Sequence, residues 1–152
     1  MSRISKRVVL TSLVGAAAVG GIAVAGIASA TAPSGPTVDN ASARFVAPSG
    51  GTEGAFTFAT DVADDSGIKN LKVLAWPDDT GLKPKAKEME HVDDATCKRV
   101  DDEKSTCTYT LRVTEQEAAG IERGDWTVSV LLTTRDGEKK FVPEAATVTL
   151  DF

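Results

Sequence analysis

Hydrophobic and polar residues alternate through most of the chain after residue 37, which is the pattern of β-strands with one buried face. Five runs show it clearly: AFTFATDV, IKNLKVLAW, CTYTLRV, WTVSVLLT and ATVTLDF. Two weaker strands are predicted near Ala43–Val46 and Thr96–Val100. The positions expected to face the interior are Phe56, Phe58, Thr60, Val62, Leu71, Val73, Ala75, Cys107, Tyr109, Leu111, Val113, Trp126, Val128, Val130, Leu132, Ala146, Val148, Leu150 and Phe152.

Turn-forming residues separate these runs. Pro48–Gly51 divides the first two strands, and Ser66–Gly67 divides the second from the third. Proline, serine and glycine favour turns because each matches a backbone geometry or hydrogen bond that turns require. Asp136–Gly137 is a strong signal for a hairpin between the last two strands.

The pattern as a whole predicts an all-β fold, an immunoglobulin-like β-sandwich of about seven antiparallel strands with one short helical turn. The helical turn follows from Thr114 and Glu117, which have capping-box spacing, and from Gly120, which can end a helix. Folding ATCKRV back on STCTYTL places Cys97 opposite Cys107 on adjacent strands. We therefore expect a disulfide within one hairpin, unlike the bridge between sheets in antibody domains.

The first thirty residues have the features of a signal peptide. A basic start, MSRISKR, precedes the uncharged stretch Val8–Ala28, and Ala28-Ser29-Ala30 fits the rule for a cleavage site. An uncleaved membrane anchor is the alternative, because the apolar run is nearly long enough to span a bilayer. The predicted organisation is a signal peptide at 1–30, a flexible tail at 31–37 and the sandwich domain at 38–152.

Charge narrows the classes of partner. Removing residues 1–30 leaves 122 of the 152 residues. Three of the 17 basic residues are lost with the signal, so 14 basic residues remain against 22 acidic ones. The resulting net charge of about −8 disfavours nucleic acid, whose phosphates require a basic surface. We expect a secreted, extracellular monomer without membrane attachment after cleavage. In that oxidising compartment a disulfide is the expected state of the two cysteines.

Two segments carry a resemblance to known proteins. The pairing of DVADDSGIKNLKVLAW with GDWTVSVLLTTRDG resembles bacterial extracellular immunoglobulin-like domains. The whole chain resembles a family of small secreted actinobacterial proteins of unknown function. The resemblance to immunoglobulin-like domains covers roughly Phe56 to Phe152. The family resemblance implies an exported sandwich and supplies no catalytic residues.

The stretch DVADDSGI has three carboxylates, Asp61, Asp64 and Asp65, before a Ser-Gly turn. Calcium is the functional hypothesis, but it needs six or more oxygen ligands from several loops, and the spacing matches no EF-hand. Aspartate and serine also form turns by bonding nearby backbone amides. We favour the turn, keep the three aspartates as a weak calcium candidate, and predict no cofactor.

No catalytic residues are predicted. A glycoside hydrolase needs two carboxylates across a cleft, and a compact sandwich offers little cleft. His91, the single histidine, lies among charged residues in EMEHVDD and has no serine-nucleophile motif to serve. Its expected place is the surface.

The connection PDDTGLKPKAKEMEHVDD, Pro77–Asp94, is the strongest candidate for a binding surface, because long loops in compact domains are often functional. The simpler alternative is a solvated loop with a short edge strand. The tryptophans could stack on sugars, although core packing is the favoured interpretation of both. The predicted binding residues are Trp76, Leu82, Lys85, Met89 and Val92, with the hairpin tip Asp101–Lys104 beside them.

These features predict a non-enzymatic binding module with an unknown extracellular protein or cell-wall component as its partner. One alternative is an extracellular protease inhibitor that presents a loop held by the Cys97–Cys107 bridge. Another is a carbohydrate-binding module that uses Trp76.

Overall fold

A computed structural model describes residues 35–152, so the predicted signal peptide and most of the predicted tail lie outside the described residues. Residues 35–152 form seven β-strands, one α-helical turn and two 3-10 helices. The strands are β1 (Thr37–Val46), β2 (Gly54–Ala63), β3 (Ile68–Pro77), β4 (Thr96–Arg99), β5 (Lys104–Val113), β6 (Gly124–Thr134) and β7 (Lys139–Leu150). The helices are the first 3-10 helix (Asp78–Thr80), the second 3-10 helix (Glu88–His91) and α1 (Glu115–Ala118).

The strands form two antiparallel sheets, with the orders β1-β2-β5-β4 and β3-β6-β7. This is the strand order of constant-type immunoglobulin domains, in which strands A, B, E and D form one sheet and C, F and G the other. The predicted fold class is confirmed.

The core lies between the two sheets, where the predicted inward positions meet. On β2, Phe56, Phe58, Thr60 and Val62 are all buried, while Asp61 is exposed. The main cluster of buried residues is Phe56, Phe58, Val62, Leu71, Val73, Cys107, Val128, Val130 and Leu132. Alternation along each strand thus produces a shared apolar layer, the main stabilising contribution of such a fold.

The turns follow the predicted chemistry. Gly137, in the β6–β7 hairpin, has φ +90°, a left-handed conformation that glycine adopts without steric cost. Thr114 caps α1 in a capping box with Glu117, and α1 joins β5 in one sheet to β6 in the other. The C-cap of α1 is Ala119 rather than Gly120, since Ala119 keeps a right-handed conformation and donates its N–H to the Glu115 carbonyl. The N–H of Gly120 donates to the Glu117 carbonyl.

The predicted disulfide joins Cys97 on β4 to Cys107 on β5. These residues are direct partners in the β4–β5 register, with Cα atoms 4.0 Å apart. The bridge therefore staples one hairpin, as predicted. In the entropic model a loop of this length stabilises by roughly 3 kcal/mol.

Two strands are longer than the alternation indicated. β1 begins at Thr37, six residues before the predicted strand, because a bulge interrupts its pattern. The bulge lies between Asp39 and Ser42, and Asn40 within it has φ +53°. β7 similarly begins at Lys139 and contains Pro143, opposite a second bulge in the β6–β7 register. Proline is tolerated there because β7 is an edge strand.

The alternation of WTVSVLLT indicates a strand with one buried face, but β6 is buried on both faces over most of its length. Thr127 is 3% exposed and Ser129 is fully buried. Their hydroxyls are satisfied inside the protein, since Thr127 Oγ1 donates to Asp78 Oδ1 and Ser129 Oγ donates to the carbonyl of Pro143. The cover is the Pro77–Asp94 connection, whose two 3-10 helices pack against β6.

Candidate functional site

The Pro77–Asp94 connection, called here the covering loop, folds back over the outer face of the β3-β6-β7 sheet. Met89, in the second 3-10 helix, is fully buried, and that helix contacts both β3 and β6. Trp76 is buried on the same outer face, where its indole N–H donates to Ser129 Oγ at 2.9 Å. The covering loop therefore encloses a second, smaller apolar layer outside the main core.

The end of the covering loop then passes from one sheet to the other. Val73 N–H donates to the Asp93 carbonyl at 3.0 Å, and Ala95 N–H donates to the Leu71 carbonyl at 2.8 Å. Lys72 Nζ lies 3.1 Å from Asp94 Oδ1. One residue after Ala95 the chain enters β4 and pairs with β5. This crossing closes only one part of the gap between β3 and β5.

An apolar cavity of about 390 Å³ opens where that gap is not closed. β4 has four residues and β5 has ten, so β4 covers β5 only as far as Thr108. Beyond that point the interior between the sheets is accessible from the side. The apolar residues that line this opening, called here the side groove, include Phe45, Phe56, Val73, Ala75, Val92, Leu111, Val113, Trp126, Val148 and Leu150.

A polar pair lies at the mouth of the side groove. Tyr109, on β5, donates its hydroxyl to Asp93 Oδ2 at 3.0 Å and so links the two sides of the opening. Burial raises the pKa of the Tyr109 phenol, and the hydrogen bond to Asp93 and its negative charge raise it further. The neutral phenol is therefore the form that the folded protein favours.

Leu111 shows that the interior is open here. It lies on the inward face of β5, yet 49% of it is exposed. The alternation of β5 predicts a buried leucine at this position, and that expectation is wrong because no strand flanks this part of β5 on the β4 side among the described residues.

The predicted binding residues separate into three groups. Leu82 and Lys85 are exposed on the covering loop, and Trp76 and Met89 are buried beneath it. Val92 is half-buried and lines the side groove. Trp126 is also half-buried on the groove wall, where its indole N–H donates to the Glu122 carbonyl at 2.9 Å. Of the five predicted residues, the structure brings only Val92 to the cavity.

The hairpin tip Asp101–Lys104 lies away from the side groove. Asp64 N–H donates to the Glu103 carbonyl at 2.8 Å, which places the tip beside the turn that begins β3. The covering loop starts at the other end of β3, after Pro77. A ten-residue strand is about 33 Å long, so the tip is far from the start of the covering loop.

The acidic stretch DVADDSGI forms a turn that organises one end of the sandwich. Asp64 is 5% exposed, and its Oδ2 accepts the backbone N–H of Ser66 at 2.9 Å and the Ser66 hydroxyl at 2.5 Å. The Gly67 carbonyl accepts the N–H of Arg135 at 3.0 Å, which ties this turn to the β6–β7 hairpin. Asp61 accepts from Asn40 and Thr106 across neighbouring strands.

The remaining chemistry-bearing residues do not converge. His91 is exposed at the end of the second 3-10 helix, and the side groove contains neither it nor Asp64 nor Asp65. Within residues 35–152, no group of three or more His, Cys, Asp and Glu side chains is placed to hold a metal ion. The helices of this described part are also too short or too polar to cross a membrane.

Asp93, Tyr109 and Leu111 are the groove residues that sequence reasoning missed as a site. Tyr109 and Leu111 are alternate residues of β5, and Asp93 lies well before them in the chain. All three line one opening because β4 is too short to cover that part of β5. A short strand opposite a long one, CKRV opposite STCTYTLRV, is the available signal in the sequence.

The fold and the groove together define a β-sandwich with an apolar site that opens on its side. The chain belongs to the DUF5707 family of unknown function, whose model matches residues 38–132. No curated protein matches the chain.

Proposed function

We propose that this protein is an exported, non-enzymatic binding module whose ligand occupies the side groove. The observation that carries the proposal is the cavity of about 390 Å³, which is within the size range of ligand sites. Its walls are apolar, and its mouth holds one hydrogen-bonded polar pair, Tyr109 and Asp93. Apolar walls with few polar groups are the usual composition of a binding pocket.

Binding of an apolar probe tests this proposal. We expect the purified protein, produced from its full chain, to bind anilinonaphthalene sulfonate saturably with one site. Ala75→Leu fills the groove with a larger side chain and should abolish binding while leaving the unfolding temperature equal or higher. Ala59→Leu is the matched control, since Ala59 is half-buried on β2 and is not part of the groove. A native protein that binds no probe contradicts the proposal.

Export is part of the same proposal. The signal-peptide features of residues 1–30 and the resemblance to small secreted actinobacterial proteins support it. A cross-strand disulfide also agrees with an oxidising compartment. Intact-mass measurement of protein from the culture medium should give a chain that begins at Thr31. An uncleaved chain that stays with the cells would favour the membrane-anchor alternative.

The hairpin tip favours protease inhibition as a second candidate function. Val100 is 66% exposed beside the disulfide hairpin. The tip is internally bonded, because Asp101 Oδ1 accepts the N–H groups of Glu103 and Lys104 at 2.8 and 2.9 Å. An inhibitor gains affinity from such a rigid loop, since less freedom is lost on binding.

A protease panel tests this second candidate. An inhibitor should remove protease activity in a one-to-one ratio, and Val100→Asp should restore it. Val46→Asp is the control, because Val46 is 52% exposed on β1. Full protease activity in the presence of excess protein removes the candidate. The carbohydrate hypothesis has no comparable support, because the buried Trp76 presents no open ring face.

A further inference from the structure

We infer that the side groove binds an extended peptide, which adds as a strand to the exposed edge of β5 and places an apolar side chain in the cavity. This inference rests on the proposed binding function and names its ligand class. The expected peptide carries an apolar residue and, two positions away, a basic residue.

The first support is the backbone of β5. Val100 N–H donates to the Lys104 carbonyl at 2.9 Å, so the even-numbered residues of β5 direct their N–H and C=O groups toward β4. Thr106 and Thr108 have β4 partners, Lys98 and Thr96. The backbone groups of Thr110 and Arg112 on that side have none among the described residues. An edge with unused donors and acceptors is a template for another strand.

The second support is the position of the cavity beneath that edge. Tyr109, Leu111 and Val113 alternate with the two edge residues and all line the side groove. Residues directly opposite each other on antiparallel strands point to the same face of the sheet. A peptide residue opposite Leu111 therefore directs its side chain into the cavity. The exposed backbone edge and the apolar cavity are therefore adjacent. In strand addition, main-chain hydrogen bonds to such an edge give affinity, and pockets for alternate side chains give specificity.

The third support is charge at the groove mouth. Asp93 holds the Tyr109 hydroxyl with Oδ2, and the residue is exposed. A peptide residue opposite Tyr109 is two positions from the residue opposite Leu111 and points to the same face. A lysine or arginine there is complementary to the Asp93 carboxylate. The overall acidic charge of the chain, −5 before any cleavage, also favours a basic partner during association.

Selection from a random heptapeptide library displayed on phage tests the inference. The purified protein from the full chain is the target, and an enriched peptide is then synthesised for affinity measurement. We expect enriched sequences with an apolar and a basic residue two positions apart. Methylating a peptide backbone nitrogen that faces β5 should weaken binding about tenfold, because it removes one hydrogen bond.

Leu111→Lys and Val46→Lys form a matched pair of variants for the same peptide. The two residues are 49% and 52% exposed, and both lie on edge-exposed strands, but only Leu111 lines the groove. We expect Leu111→Lys to abolish peptide binding and Val46→Lys to leave it unchanged, with both variants folded by circular dichroism. Equal affinity for both variants overturns the inference.

The other outcomes separate this inference from the proposed function. If the apolar dye binds and no peptide is enriched, the peptide inference is wrong and the binding groove remains. If neither dye nor peptide binds, both are wrong. If sedimentation shows self-association that Leu111→Lys removes, the occupant is a second copy of this chain, and the peptide inference is overturned.

Discussion

Asp64 is buried at the start of the turn before β3, and its Oδ2 accepts both the backbone N–H and the hydroxyl of Ser66. Its own N–H donates to Glu103, and its carbonyl accepts the N–H of Gly67. A carboxylate used in this way fixes the turn geometry and thereby the entry angle of β3. Asp61, by contrast, bonds to side chains on β1 and β5, so the acidic residues of the stretch are directed to different neighbours.

Asp64→Ala should lower the free energy of unfolding by about 1–3 kcal/mol, because it leaves the backbone N–H of Ser66 without its acceptor. Urea denaturation measures this loss. Asp79→Ala is the control, since Asp79 is exposed in the first 3-10 helix and should change stability by less than about 0.5 kcal/mol. Calcium should not raise the unfolding temperature of either protein. A calcium-dependent rise that Asp64→Ala removes would restore the cation-site hypothesis.

Tyr109 can be titrated directly because it is the only tyrosine in the chain. Burial and Asp93 raise its pKa above the ordinary value of 10.0. The contribution of the neutral phenol to the free energy of unfolding should therefore be complete below pH 10 and be lost as the phenol ionises. Tyrosinate absorbance should show a midpoint above 10.0, and Asp93→Asn should lower it. Asp94→Asn is the control, since Asp94 pairs with Lys72. An unchanged midpoint in Asp93→Asn would contradict the contact across the groove.

At the scale of elements, the covering loop acts as a structural layer and not only as a solvated connection. Met89 is fully buried while Leu82, in the same loop, is 50% exposed. Met89→Ala should lower the free energy of unfolding by about 2–5 kcal/mol, because it leaves a cavity beneath the loop. Leu82→Ala should change it by less than about 0.5 kcal/mol. Equal effects in denaturant unfolding would mean that the loop is not packed on the sheet.

The strands could be predicted because alternation is a local property that each run carries by itself. β2 is the clear case, with every second side chain buried as expected. The bulge at Asn40 breaks this alternation, and the first part of β1 could therefore not be recognised. The hairpin disulfide could also be predicted, since the turn between Arg99 and Lys104 fixes which residues face each other.

The outer layer could not be predicted, because burial of polar residues depends on what covers them. Thr127 and Ser129 alternate with apolar residues and so indicate a wet face. The covering loop packs over them, and their hydroxyls find acceptors in Asp78 of that loop and in the Pro143 carbonyl of β7. The two 3-10 helices that make this possible are only three and four residues long and carry no periodic signal.

At the scale of the whole molecule, the side groove results from a mismatch between two strands. β4 ends after four residues, and the covering loop bonds to β3 only near Leu71 and Val73. Neither element closes the space beside Leu111, so the core is accessible between the sheets. The sequence predicts both strands but not the opening, because the opening is a property of how far they overlap.

The two tryptophans of the chain provide the most direct test of the groove as the binding site. Trp126 lines the groove, and Trp76 is buried under the covering loop with its N–H on Ser129. In ¹⁵N NMR spectra, anilinonaphthalene sulfonate should shift the indole N–H signal of Trp126 saturably and leave that of Trp76 in place. A Trp126 signal that does not move at saturating probe, or a shift confined to Trp76, would contradict binding in the side groove.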